Sequence, residues 1–325
     1  MIRKAPPTYP GGAFLCVLKT AAAVYNGYNR SSRRNHMITE KAYAKINLSL
    51  DVTGKRPDGY HEVRMIMQTV DISDTLTFEK TDEGISIDVG GSDLPADEDN
   101  LIYKAAKTVM DKCGIGGGVK ISLDKNIPIA AGMAGGSSDA AATLRGVNRL
   151  FDCGLSMDEL RELGVKIGAD VPYCVEGGTV LGEGIGEKLT KLTQLPEYTL
   201  AVAKPGKGVS TGNIYKALDE IFDDISHPDV DAMLSAMKTC PGTGFLKYLG
   251  NVLEYVTEPL CSEIGMIKKI FDEGGSLGTL MTGSGPTVFA FYESREDAAA
   301  AVEKVRKAGL SPKSESFVTT LKKLY

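Results

Sequence analysis

From Ala42 to Val52 apolar and polar residues alternate without a break; a Pro57-Asp58-Gly59 turn and a second alternating stretch from His61 to Phe78 follow. No other feature restricts the fold as much, because a period of two residues places successive side chains on opposite faces of a strand. Ala44, Ile46, Leu48, Leu50 and Val52 are expected on one face, with Lys45, Asn47, Ser49 and Asp51 on the other. Pro-Asp-Gly is turn chemistry, so the two stretches predict an antiparallel hairpin whose apolar face packs on a core. Two readings of the polar face stay open. It meets solvent, the commoner fate of such a face, or it walls a cleft into which Lys45 and Asn47, about 7 Å apart by strand rise, both look.

A second feature is the run IPIAAGMAGGSSDAAATL, Ile127 to Leu144, which leaves the apolar strand VKISL through Lys125 and Asn126. Ser137 and Ser138 are good N-cap residues, and Ala141, Leu144, Val147 and Phe151 continue at helical spacing, so a helix is expected to begin at one of the two serines. A glycine-rich turn lets backbone N–H groups approach a ligand, and the helix N-terminus adds partial positive charge, which suits a di- or triphosphate. The loop lacks the Gly-Lys-Ser/Thr of a Walker A sequence, and no Gly-x-Gly-x-x-Gly occurs in the chain. On this pattern alone, a phosphate cradle and a structural strand-to-helix turn are both open.

Downstream, Ser156 to Glu159 spells a capping box for a helix running through Leu160, Leu163 and Ile167, with Gly168 placed to end it. Asp170 follows in GADVPYC, where Pro172 is expected to forbid a return to helix. An acid beyond a helix C-terminus and among apolar neighbours needs a cation beside it to stay charged. The alternative is an Asp that only caps a turn.

At 325 residues the chain has room for two domains, and a net charge of -5 gives no reason to expect a nucleic-acid partner. Cys16, Cys113, Cys153, Cys174, Cys240 and Cys261 form no Cys-x-x-Cys pair and only three histidines accompany them, which argues for reduced thiols in a cytoplasmic protein and against a zinc site. No apolar run approaches the roughly 20 residues of a membrane span. Residues 1–36 carry six basic residues and no acidic one, and their apolar piece is interrupted by Lys19, so they read as a disordered extension rather than a signal peptide.

Taken in order, AKINLSL, PDGYHEV, IPIAAGMAGGSSDAA, GADVPYC and MTGSGPTVF resemble the GHMP small-molecule kinases. The longer stretch AKINLSLDVTGKRPDGYHE is similar to one branch of them, the kinases of diphosphocytidyl-methylerythritol in the methylerythritol phosphate route to isoprenoids. The resemblance runs from about Ile38 to the C-terminus. It implies an α+β fold of two domains, a ribosomal-protein-like α/β domain over residues 37–196 and a ferredoxin-like one over 197–325, with the Gly283-Ser284-Gly285 turn facing the cleft between them. It further implies an ATP-dependent cytoplasmic kinase, monomeric or homodimeric, with a small-molecule substrate carrying cytidine diphosphate and with neither nucleic acid nor membrane as partner.

The same resemblance implies roles by position. Lys45 and Asp170 would be the catalytic pair. Pro128, Ile129, Ala130, Ala131, Gly132, Met133, Ala134, Gly135, Gly136, Ser137 and Ser138 would wrap the ATP phosphates, and Asn100 and Lys125 would lie near the adenosine. Tyr60 and Tyr215 would stack on the cytosine, His61 would hydrogen-bond it, and Asn47 and Thr211 would position the polyol and diphosphate end. Mg²⁺ would be bound mainly by ATP oxygens, with Ser138 as the protein hydroxyl beside it. Ala130 and Ala134 stand where many relatives have glycine, which is harmless only if both keep negative φ. Tyr215 replaces a commoner phenylalanine and keeps its stacking surface. The alternatives are a homoserine, mevalonate or sugar kinase of the same superfamily, or a non-catalytic nucleotide-binding relative, whose mark would be loss of Lys45 or Asp170.

Overall fold

The computed structural model describes residues 37–92, 94–239 and 242–323, so the expectation for residues 1–36 falls outside the described residues. The predicted hairpin is its longest feature. β1 (Ile38–Lys55) and β2 (His61–Thr81) pair antiparallel across the Pro57-Asp58-Gly59 turn. In that turn Asp58 Oδ1 accepts from the Tyr60 amide while Arg56 holds the same carboxylate and that of Glu62.

The strict two-face expectation for β1 meets three register shifts, at Tyr43/Lys45, Asn47/Ser49 and Val52/Gly54, and the middle one breaks the predicted apolar face. Lys45 lies opposite Thr69, Asn47 opposite Met67, Ser49 opposite Ile66 and Leu50 opposite Met65, so Leu48 is one residue too many and forms a bulge. A single inserted residue flips the pleat. The face that carries Lys45 and Asn47 therefore continues with Leu50 and Val52, which pack with Val63, Met65 and Met67. Ala44, Ile46 and Leu48 turn to the opposite face, with Ile66 and Val70. Neither face is solvated there, because Lys45, Asn47 and Ser49 are all buried.

Around this hairpin grows a seven-stranded sheet. Its main order is β3 (Ile85–Asp88), β4 (Gly118–Asp124), β2, β1 and β8 (Gly250–Asn251), with β5 (Thr179–Glu183) also on β2 and β6 (Lys188–Lys191) on β5. Helices α1 (Leu101–Cys113) and α2 (Gly135–Leu150) cover one face, burying Val109, Ala141, Leu144 and Val147 against Phe78, Leu76 and Ile121. α3 (Met157–Val165) begins with the expected capping box, Ser156 accepting from the Glu159 amide and Glu159 accepting from that of Ser156. It ends before Ile167, earlier than its apolar spacing suggests.

Two further expectations about helix ends are corrected. α2 starts at Gly135, ahead of both serines, with Ala134 in the cap position at φ 57° and no side-chain cap. The Ser138 hydroxyl is used elsewhere, donating to the Tyr43 carbonyl of β1 at 2.6 Å and so tying the helix to the strand. Pro172, for its part, does not keep the chain from helix. It sits in the first turn of α4 (Val171–Glu176), where a missing N–H costs nothing, and Asp170 is the residue that precedes this helix. Asp170 thus lies at a positive helix end, the reverse of the dipole position expected for it.

The rest of the chain builds a second, four-stranded antiparallel sheet in the order β11 (Glu315–Thr320), β7 (Thr199–Lys204), β10 (Val288–Tyr292) and β9 (Gly278–Met281). The expected strand, turn, strand, helix and final strand at its C-terminal end are all present, the helix being Arg295–Lys307. Residues Ile38–Tyr325 form one compact unit. The reason is visible in the connections: β8 pairs with β1, Leu321 bridges Val70, and Val63, Met65 and Met67 share a core with Ala201, Met281 and Val288. No helix among the described residues is long and apolar enough to cross a membrane.

Candidate active site

Lys45, on the face that the bulge makes continuous with Leu50 and Val52, stands in the wall of a cleft of about 1000 Å³. Lys45 is 4% exposed, and its ammonium lies 2.6 Å from Asn47 Oδ1 and 3.8 Å from Asp170 Oδ2. Asp170 is 32% exposed and faces the same cleft. Asn47 stands behind Lys45, fully buried, donating to Met65 Sδ and, through its backbone N–H, to Thr282 Oγ1. It orients the lysine and does not itself form the wall. Burial, and secondly the charge of Asp170, push the Cys174 thiol behind the site up to about 12, so it stays neutral.

The glycine loop supplies one end of the cleft. Pro128, Ile129, Ala130, Ala131, Gly132 and Ala134 line it, as do Gly135, Gly136 and Ser137 from the first turn of α2. Met133 is buried beneath, its carbonyl accepting from the Lys45 amide at 3.1 Å, and Ser138 lies behind the wall with its hydroxyl on Tyr43. Ser138 is therefore not placed as the exposed hydroxyl expected beside a metal ion. Ala130 and Ala134 adopt φ 52° and 57°, the left-handed region, so the condition under which alanine would be harmless there is not met. The shape they impose turns the uncapped start of a sixteen-residue helix toward the cleft, which fits a polyphosphate.

Asn100 and Lys125 border the same end. Asn100 caps α1, accepting from the Ile102 amide and donating to the Pro95 carbonyl, so its side chain is already committed. Lys125 is clamped by two buried carboxylates, Asp74 and Asp139, the latter at 2.9 Å. Asp74 also accepts from the Asn126 and Ile127 amides and so fixes the strand-to-loop exit, while Asp139 Oδ1 has no partner among the described residues. Burial, opposed by Lys125 and assisted by Asp74, pushes Asp139 up to about 8. Sequence reading missed both acids. Asp139 follows the serines directly, but nothing around Asp74 marks it.

At the opposite end Tyr60, His61 and Tyr215 come together with Thr211. The His61 and Tyr215 rings are 5.0 Å apart at 40°, whereas Tyr60 is 58% exposed. Burial, and secondly Asp170, hold the Tyr215 phenol well above its ordinary range, so it remains neutral. Thr211, Tyr215 and the unforeseen Asp219 recur at four-residue intervals along α5 (Thr211–Asp219) and line the cleft together. That spacing was a signal available in the sequence. Thr211 Oγ1 also meets Ser284 Oγ at 2.8 Å, bringing in the Gly283-Ser284-Gly285 turn, which lines the cleft as expected.

Comparison with known proteins gives the family. Residues 100–178 match the GHMP kinases N terminal domain and residues 242–310 the GHMP kinases C terminal domain. A protein of Caldicellulosiruptor saccharolyticus, a 4-diphosphocytidyl-2-C-methyl-D-erythritol kinase, is 49% identical over 267 residues, which cover 82% of this chain and 92% of that protein. The chain belongs to the GHMP kinases, in the branch of the 4-diphosphocytidyl-2-C-methyl-D-erythritol kinases. A crystal structure of a 4-(cytidine 5'-diphospho)-2C-methyl-D-erythritol kinase is similar at a TM-score of 0.73 and 32% identity, over 88% of this chain and 100% of that one. The mevalonate kinase of L. major, at TM-score 0.69 and 19% identity over 89% of this chain and 98% of its own, shares the fold alone. The two-domain GHMP fold expected from the motifs is thus the fold of this chain, and as a family member it is an ATP-dependent small-molecule kinase.

Proposed function

We propose that this kinase transfers the γ-phosphoryl group of ATP to the 2-hydroxyl of 4-diphosphocytidyl-2-C-methyl-D-erythritol, in the cytoplasm, as a step toward isoprenoid precursors. The observation that carries the reading is that one cleft holds Lys45 and Asp170 between a glycine-loop helix start and the His61–Tyr215 aromatic pair. Phosphoryl transfer asks mainly for positioning and charge stabilisation. The uncapped amides of α2 hold the phosphates, and Asp170, on the open side of the cleft, accepts the hydroxyl proton. Lys45, pinned by Asn47, offsets charge on the transferring oxygens. Mg²⁺, bound chiefly through phosphate oxygens, would supply Lewis-acid stabilisation of the γ-phosphate. A boundary between the two domains at residues 196–197 is supported by its position between β6, which ends at Lys191, and β7, which begins the second sheet at Thr199.

The aromatic end argues against a homoserine, mevalonate or sugar kinase. A stacking surface of Tyr60 and Tyr215 serves a planar base and has no use for a small alcohol. The test is to incubate the purified chain with ATP and Mg²⁺ against the cytidyl compound, homoserine, mevalonate and galactose, following ADP. Release with the cytidyl compound only is expected. Release with a small alcohol and not with the cytidyl compound would overturn the reading.

A further inference from the structure

At the aromatic end of the cleft His61 belongs to a small charged assembly whose other members, Asp219 and Lys55, have no role so far. Asp219 ends α5, is 26% exposed, and reaches across to the hairpin. Its Oδ1 lies 2.7 Å from His61 Nε2 and its Oδ2 lies 2.5 Å from the Lys55 ammonium. Both partners come from the two ends of the 55–61 turn region, so one carboxylate from the helix fixes both flanks of the segment that carries Tyr60. Those bonds, first from Lys55 and then from His61, hold the Asp219 carboxyl below its ordinary range.

An ionised carboxylate can only accept, so Nε2 of His61 must be the donor. In the neutral imidazole this leaves Nδ1 as a lone-pair acceptor, and Nδ1 has no partner among the described residues. Packing finishes the constraint, since the imidazole is held against the Tyr215 ring. Cytosine and uracil differ at ring position 4, where cytosine carries a donating amine and uracil an accepting carbonyl. An acceptor fixed beside that position would pair with the amine and repel the carbonyl.

Resting on the cytidyl reading above, we propose that Asp219 is a specificity-determining positioning residue: by fixing the tautomer and orientation of His61, it makes the base site select an amino over a keto pyrimidine. Lys55 serves the same end by holding the second carboxylate oxygen, so that Asp219 cannot rotate away from the imidazole. A site built to hydrogen-bond a group discriminates strongly against an analogue that lacks it, because its own polar atom is then left unpaired.

The experiment measures binding of CDP and of UDP to the full chain, with a non-hydrolysable ATP analogue present to occupy the glycine loop. It is run on wild type, Asp219→Ala and Asp219→Asn. Wild type should prefer CDP by at least about tenfold. Asp219→Ala should lose about tenfold in CDP affinity and bring the preference near unity, and Asp219→Asn, whose amide can donate as well as accept, should narrow it without abolishing it. In steady state the KM for the cytidyl substrate should rise while kcat at saturation, the KM for ATP and the Tm hold, which a merely structural role would not produce. A wild-type CDP preference retained in full by both variants overturns the proposal and leaves the cytidyl reading standing. Absence of any CDP preference in wild type overturns the cytidyl reading, and this inference with it.

Discussion

A Cβ placed on Gly283 would stand 2.8 Å from the carbonyl oxygen of Gly132, so the C-terminal turn and the glycine loop meet backbone to backbone. The converse also holds, since a Cβ on Gly132 would lie 2.4 Å from the Thr282 carbonyl oxygen, and both glycines have positive φ. Thr282 Oγ1 accepts from the Asn47 amide, while the Lys45 amide binds the Met133 carbonyl. Strand, loop and turn are thereby fixed to one another around Lys45 and Asp170.

Gly283→Ala should accordingly displace the loop. A shift of the order of 1 Å in positioning costs up to about 10²-fold in rate, so kcat should fall at least about tenfold with the KM for ATP raised. Steady-state kinetics with both substrates varied would check it. Unchanged kinetics would show that the turn can retreat without moving the loop.

Asp170→Asn keeps shape and removes the proton acceptor. With Asp170 as base, kcat should fall by about 10² to 10⁴ while both substrates still bind. Lys45→Met should produce a comparable loss, and the double variant should lose far less than the product of the two, because they serve one transition state. Single-turnover rates on all three variants decide the matter. Full activity in Asp170→Asn would remove it from the mechanism.

Tyr60 is largely exposed and contributes little to the core. Tyr60→Ala should therefore leave the Tm in place and weaken the cytidyl substrate by the roughly 1 to 3 kcal/mol of one stacked base, with the KM for ATP unmoved. Equal weakening of both substrates would mean that the hairpin tip shapes the whole cleft rather than the base site.

Ala134 holds a left-handed conformation that costs an L-residue about 1 to 2 kcal/mol. Glycine relieves it but gains entropy in the unfolded chain, worth about 0.4 to 1 kcal/mol in the other direction. Ala134→Gly should thus raise stability by up to about 1.5 kcal/mol. Denaturant unfolding would measure it, and a clear destabilisation would show that the methyl group makes a contact that outweighs the strain.

Asp139 gives a pH signature. Its carboxyl titrates at about 8 in the folded chain, against about 3.9 when unfolded. Between those values the folded state binds the extra proton, so stability falls as pH rises through the window. The Tm of the wild type should decline from about pH 4 to 8, and Asp139→Asn should flatten that decline. An identical slope in the variant would show that Lys125 compensates the charge completely.

Local chemistry in the sequence determined a good deal of this molecule. The hairpin, the capping box at Ser156, the strand-turn-strand near Gly283 and the glycine loop follow from periodicity and turn residues, which act over a few positions and need no partner. The family, and with it Lys45, Asp170 and Tyr215 as candidates, was legible from motifs in order. Tertiary structure alone decided where those groups point. The bulge at Leu48 depends on register with β2, so alternation could not announce that Leu50 joins the face of Lys45. The Ser138 hydroxyl left the cap because a carbonyl of β1 lay within reach, and Ala134 took a positive φ that no local pattern announces. Asp74 and Lys125, 51 residues apart, meet with Asp139 only when β2, the loop and α2 are assembled. Contacts between segments distant in the chain have no local period to betray them, and in this protein they are what converts a list of plausible residues into a site.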